Sequence, residues 1–113
     1  MVKMMVLLTK RPALTSEEFK RHWLEVHGPL VHALPGLRRY VQDHKISEFG
    51  VPGAVSIEAD IDGISELWFD DLASLQRAFS SEASKALAAD AALFIGRATF
   101  LVVEEKATSA AGA

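Results

Sequence analysis

An α+β fold is what this sequence predicts: an antiparallel sheet with its helices gathered on one face. Three observations carry that prediction. The β-rich runs and helical stretches alternate in the order β-α-β-β-α-β, the ferredoxin-like split βαβ arrangement. The chain has 113 residues, the size of one domain. Half of the residues are apolar and 24% are charged, which can build a core without disulfides or structural metals.

The first strand is expected over residues 2–9, and Pro12 stops it because it cannot donate to a ladder. This apolar start superficially resembles a leader. It ends at Thr9-Lys10-Arg11 with no small-residue cleavage site behind it, so it reads as a strand of a cytoplasmic protein. A helix follows. Thr15 suits the N-cap, Glu18 completes a capping box, and Leu14 can staple onto Phe19. Phe19, Trp23, Val26 and Leu30 then draw one apolar face at spacings of 4, 3 and 4. Gly28-Pro29 interrupts this helix, so its last turns, up to Leu34-Pro35-Gly36, are expected to be kinked or irregular.

A second strand is expected over residues 37–47, then a long loop over 48–60 carrying Gly50, Pro52 and Gly53. Gly63 reads as a turn, and a third strand as residues 64–69. Asp70-Asp71 caps a helix over Leu72, Leu75 and Phe79. Ser80-Ser81 breaks it, and an alanine-rich helix follows over 84–94, which Gly96 ends. The last strand is expected over 98–104. The domain therefore covers residues 1–106, and residues 107–113 read as a frayed tail.

Composition excludes several functions. There is no cysteine, hence no disulfide framework, thiol chemistry or cysteine metal site. The formal net charge is −3 with no basic cluster, which argues against nucleic acid as a partner. No apolar run approaches the ~20 residues needed to span a membrane. Gly-rich phosphate loops are absent. His22, His27 and His32 lie five apart, so on a regular helix each is turned about 140° from the last and they fan round the axis. No metal or organic cofactor is therefore expected. The second and fourth strands are apolar on both parities, where a monomer's solvent face should be polar. A second copy covering the open sheet face, in a homodimer, is the simplest answer.

Three stretches carry a family resemblance: Phe19-Lys-Arg-His-Trp-Leu-Glu-Val-His-Gly-Pro-Leu30, Leu34-Pro-Gly-Leu-Arg-Arg-Tyr40, and Asp62-Gly-Ile-Ser-Glu-Leu-Trp-Phe-Asp-Asp71. In this order they resemble the EthD family of the dimeric α+β barrel superfamily, over residues 2–105. The matching positions are Trp23, His27, Pro29, Leu30, Gly36, Tyr40, Glu66 and Trp68. The resemblance implies a ferredoxin-like protomer whose sheet faces that of its partner. Relatives include methylmuconolactone isomerases and proteins of polyketide pathways, and the superfamily includes cofactor-free monooxygenases. The fold alone therefore selects no reaction.

His27 is the first candidate for chemistry. It lies about 80° from Phe19 on the helical wheel, at the edge of the apolar face and just before the Gly28-Pro29 break. An imidazole there can take or give a proton near neutrality. The alternative is a boundary histidine bonded to a backbone carbonyl. Its replacement is expected to cost about 1 kcal/mol or less. Tyr40 and His44 share a strand face but stand ~13 Å apart, too far to touch directly. Glu66 and Trp68 share a face of the third strand, opposite Leu67 and Phe69. Whichever pair packs on the helices sends the other toward the partner sheet. Glu66 is either a titrating acid or base or an ion pair with Arg38 or Arg39. The expected catalytic set is thus His27, Tyr40, His44 and Glu66, with Trp23, Leu30, Trp68 and Phe94 lining the pocket.

The leading expectation is a small cofactor-independent isomerase, cyclase or dehydratase acting on a small cyclic or aromatic oxygenated compound. The alternatives are an oxidoreductase role, as a cofactor-free monooxygenase or an accessory protein of an oxygenase pathway, and a non-catalytic ligand-binding dimer.

Overall fold

The computed structural model describes residues 1–108. Residues 109–113, most of the expected tail, lie outside them. Four strands, β1 (Val2–Lys10), β2 (Arg39–His44), β3 (Gly63–Phe69) and β4 (Ile95–Val103), form one sheet in the order β2-β3-β1-β4. Every neighbouring pair is antiparallel. With the helices between strands, this is the ferredoxin-like fold.

Strand parity divides the sheet. Met4, Val6 and Leu8 of β1 are buried and pair with Leu67, Ser65 and Gly63 of β3. They join Phe19, Trp23, Val31, Phe69 and Phe94 in one core beneath the helices. Lys3, Met5 and Leu7 lie on the other face, opposite Trp68, Glu66 and Ile64. No helix covers that face.

Helix α1 (Ser16–His22) starts at the expected capping box. The Glu18 N–H donates to Thr15 Oγ1 at 3.1 Å, and the Thr15 N–H donates to Glu18 Oε1 at 2.9 Å. The expected irregularity before Pro29 takes a definite form: Trp23–His27 is a turn of π-helix, leading into α2 (Gly28–Val31). The Gly28 N–H reaches back five residues to the Trp23 carbonyl. Pro29 is the physical cause, because its ring has no N–H and clashes with the carbonyl four residues before it. Lodging one extra residue widens the turn just ahead of the ring.

The extra residue corrects the expected apolar stripe. Phe19 and Trp23 are buried as expected. Beyond them the stripe advances by one residue, to His27 and Val31, both over 90% buried. Val26, expected inside, is 47% exposed, and Leu30 is only half-buried. The same shift overturns the fan of histidines, as the site below shows.

Three boundaries also move. Strand β2 runs only over Arg39–His44, and residues 45–62 form a longer irregular segment than the expected 48–60. In it Ile46, Phe49, Val55 and Ile57 are almost fully exposed. The third correction is Gly96, which lies in β4 rather than ending a helix. A side chain there would place its Cβ 2.8 Å from the Lys10 carbonyl oxygen, where the β1–β4 register shifts. The close crossing, not a helix stop, demands glycine. Asp71 caps α3 (Leu72–Ala78) as expected, accepting from the Ser74 N–H at 2.8 Å. After Ser80-Ser81 comes α4 (Glu82–Phe94). Among the described residues no helix is long and apolar enough to cross a membrane.

Candidate functional site

A cavity of about 520 Å³ lies between α4 and the helix-facing side of the sheet. Its sheet wall is Met4, Val6, Leu8 and Leu67, and α4 lines it with Leu87, Ala88, Ala91 and Ala92. The alanines are why space remains: α4 presents methyl groups where longer side chains would fill the gap. The wall is mostly apolar. His27, Tyr40, Ser65, Ser84 and Arg97 bring polar groups to it.

The π turn delivers His27 to this wall, 7% exposed. Its Nδ1 lies 2.8 Å from Asp90 Oδ2. A carboxylate accepts, so Nδ1 carries the proton and Nε2 keeps its lone pair. Among the described residues Nε2 has no hydrogen-bond partner, and it is not among the sealed-off side-chain nitrogens. It is the ring nitrogen left without a partner on a residue that lines the cavity. Burial pushes the His27 imidazole below its ordinary pKa of 6.5, against the opposing pull of Asp90. Burial thus favours the neutral imidazole. His22 Nε2 also contacts Asp90, 2.9 Å from Oδ1 and 3.1 Å from Oδ2. On a regular helix these two histidines would point apart. The extra residue of the π turn brings them round to one carboxylate.

Tyr40, Gln42 and His44 alternate along the helix-facing side of β2. Gln42 links its neighbours: Nε2 donates to Tyr40 Oη at 2.7 Å, and Oε1 lies 2.8 Å from His44 Nε2. Gln42 Nε2 also donates to the Trp23 carbonyl at 2.8 Å, which ties β2 to the π turn. Tyr40 Oη accepts from Gln42 and belongs to a residue that lines the cavity. Burial pushes the phenol above 10, so it stays protonated. His44 stands back from the cavity. Its ring stacks on Trp23 at 4.4 Å, and burial, with Lys20 nearby, lowers its pKa.

Glu66 and Trp68 do not join this group. Leu67 and Phe69 pack under the helices, so Glu66 and Trp68 lie on the open face, across the sheet from His27. The physical reason is the two-residue period of the strand. Of the expected pocket residues, Trp23 and Phe94 are core, Leu30 lies outside the cavity wall, and Trp68 is on the other face. The expected arginine partner of Glu66 is also replaced. Lys3 Nζ bonds Glu66 Oε1 at 2.8 Å, while Arg38 pairs with Asp70. Lys3 and Arg39 sit over the Trp68 ring at 4.9 and 4.7 Å.

On that open face Asp43 is pushed up to about 6, first by its hydrogen bond to Glu66, then by burial. Glu66 is lowered, first by the same bond and then by Lys3. Below about pH 6 Asp43 is the member of the pair that holds a proton. The folded pKa of Asp43 is raised, so its contribution is fully present below 3.8 and is lost as pH rises through about 6. Glu66 acts oppositely, and only as pH falls below 4.5. Asp43→Asn should therefore gain stability relative to wild type between pH 5 and pH 7, by no more than about 1 kcal/mol because Asp43 is exposed. Urea midpoints of both proteins at the two pH values check this. An equal difference at both refutes it.

Two site residues escape a reading of the sequence: Asp90 and Gln42. Asp90 had a usable signal. It sits three residues after Leu87 and four before Phe94, on the buried stripe of α4. An acid on an apolar stripe needs a buried partner.

A four-stranded ferredoxin-like protein with a polar-tipped apolar cavity is the class that this geometry defines. The chain belongs to the EthD domain family, whose profile matches residues 11–98. It is similar to a Bacillus halodurans protein described as an ethyl tert-butyl ether d (ethd) family protein. The identity is 31% over 94% of this chain and 99% of that one, with a TM-score of 0.74. A Bacteroides fragilis protein described as dimeric, of unknown function and ferredoxin-like fold, is 18% identical over 92% and 95%, with a TM-score of 0.66. SnoaB, described as a cofactor-independent oxygenase from Streptomyces nogalater, is 14% identical over 95% and 94%, with a TM-score of 0.57. The last two likenesses show the fold alone. Among curated proteins none matches the chain.

Proposed function

We propose that this protein is a cofactor-independent acid/base enzyme that moves a proton on a small cyclic or aromatic oxygenated compound. The observation that carries the reading is His27, whose burial favours the neutral ring, with one nitrogen held by Asp90 and the other left without a partner on the wall of an apolar cavity. In this reading His27 Nε2 takes a proton from a carbon next to a carbonyl. Tyr40 Oη donates to the carbonyl oxygen as negative charge develops there. The mostly apolar wall lowers the local polarity and so strengthens both interactions. Returning the proton to another carbon is an isomerisation, and loss of a β-hydroxyl is a dehydration. Glu66 has no part in this step.

The test is incubation in D2O with a panel of cyclic ketones, enol lactones and quinols, followed by NMR. Deuterium wash-in at carbon that His27→Asn abolishes is the expected result. A second reading is cofactor-free oxygen chemistry on an electron-rich phenol, after the description of SnoaB; oxygen uptake with a quinol, without wash-in, would favour it. Ligand retained unchanged, with neither activity, would favour a binding protein.

The assembly we propose is a homodimer. Met5, Leu7, Val41, Ile64 and Leu101 lie on the open sheet face, and Leu101 is 45% exposed. A second copy is the occupant with a matching apolar face. Sedimentation should give twice 12.3 kDa, and Leu101→Asp should shift the species toward 12.3 kDa. A monomeric wild type at micromolar concentration would refute it.

A further inference from the structure

His22 is the one member of the Asp90 cluster with no place in the chemistry proposed above. Both of its side-chain hydrogen-bond contacts are to the Asp90 carboxylate. The His22 side chain keeps 26% of its exposure, against 9% for His27. It also lines a separate groove on the outer side of the helices. Asp90 is therefore a bridge, with the cavity base on one side and a surface imidazole on the other. Phe94 lies against both rings, at 4.6 and 4.9 Å between centroids.

We infer that His22, acting through Asp90, is a positioning residue for His27: it holds the carboxylate that fixes the His27 tautomer, and its protonation competes with that of the buried base. The inference rests on His27 being the base of the proposed reaction.

The physical argument begins with Asp90 alone. A buried carboxylate bonded only to His27 would stabilise the imidazolium, and a protonated His27 is no base. A second imidazole on the same carboxylate changes this. One negative charge favours one cation, and a second cation beside it is repelled. The proton settles where desolvation costs less, which is His22, the more exposed ring. Once His22 is charged, the field of Asp90 at His27 is largely cancelled. His27 then stays neutral, its Nδ1–H still held and its Nε2 free. In agreement, His22 is among the groups that lower the His27 pKa.

The other charged groups nearby do not replace this effect. Around His22 they are Glu17, Glu18 and Arg21 of α1 and Glu25 of the π turn, all away from the cavity. Around His27 they are Asp90 from α4 and, across the cavity, Arg97 from β4, with the neutral Tyr40 on the β2 side. Arg97 is engaged by Asp60.

A histidine titration followed by 13C and 15N NMR on the whole protein, without substrate, tests the inference. In wild type the His27 curve should show two steps, one coinciding with the midpoint of His22. In His22→Gln, whose amide can still donate to Asp90 but cannot take a proton, the His27 midpoint should rise by about half a pH unit or more. A one-step His27 curve in wild type overturns the inference, and so does an unmoved midpoint in the folded variant. A purely structural tie would lower Tm and move neither. Should His22→Gln fail to fold, the wild-type curve decides alone. If His27→Asn leaves turnover intact while the titrations couple, the proposed base is wrong and the coupling stands.

Discussion

Replacing His27 with asparagine should lower turnover by roughly 10²–10⁴-fold, the usual worth of a positioned acid/base group. Asparagine is chosen because its amide nitrogen can take the place of Nδ1 and donate to Asp90, while nothing takes the place of Nε2. Stability should then fall by no more than about 1 kcal/mol. His27→Ala should lose as much turnover and more stability, about 1–3 kcal/mol, because Asp90 keeps only His22 as a partner. That second figure revises the small cost expected of a boundary residue, since His27 is buried. Turnover and urea midpoints of both variants separate the roles. Equal turnover in wild type and His27→Asn would remove His27 from the chemistry. A thermal collapse of both variants would make it a structural residue.

Trp23→Ala should cost about 3–5 kcal/mol, the largest stability effect expected of a single truncation here. The indole is fully buried. It packs 5.6 Å from Phe19 and stacks on His44. Its edge rests on Gly63, where an added Cβ would lie 2.4 Å from Cζ3 and 2.6 Å from Cη2 of the indole. Gly63→Ala must therefore displace the ring or the strand, at about 1–3 kcal/mol or more. The two costs share one cause, so they should not add. In a Trp23→Ala background most of the Gly63→Ala penalty should vanish, a coupling of about 1–3 kcal/mol in a double-mutant cycle. Additive costs would show that Gly63 is needed for the close approach of the Asp43 carbonyl of β2, 3.0 Å from an added Cβ, rather than for the indole. Trp23→Phe is a milder probe, since it keeps a ring and removes an indole N–H that finds no acceptor among the described residues.

What the sequence revealed and what it hid divide along one line. Signals that act within a few residues were legible. The Thr15–Glu18 box and the Asp71 cap stand where their spacing puts them. Strand parity correctly made Leu67 and Phe69 alternatives to Glu66 and Trp68, though it left open which pair faces the helices. Helix periodicity was legible only as far as Trp23. Beyond it, counting at 3.6 residues per turn chose Val26 and Leu30, because nothing in the count announces a turn that holds one residue more. Pro29 marked the place of the disturbance without its form. The polar partners were hidden for a different reason. Asp90 is 63 residues from His27 and sits among alanines, which read as a bland helical face. Gln42 looked like an ordinary strand residue, yet it joins Tyr40, His44 and the Trp23 carbonyl.

The π turn also sets how chain length at this point bears on the site. Between Trp23 and Gly28 the backbone holds one residue more than a regular helix would. Deleting one residue there, Glu25 for instance, would not break the helix; it would regularise it. His22 and His27 would then stand four apart on a regular helix, about 40° from one another, so both rings would stay on the side of Asp90. A regular helix of the present length would instead set them about 140° apart. The wide turn thus lets the chain carry one more residue here without moving the site, while the exposed segment 45–62 is free to lengthen or shorten at little thermodynamic cost.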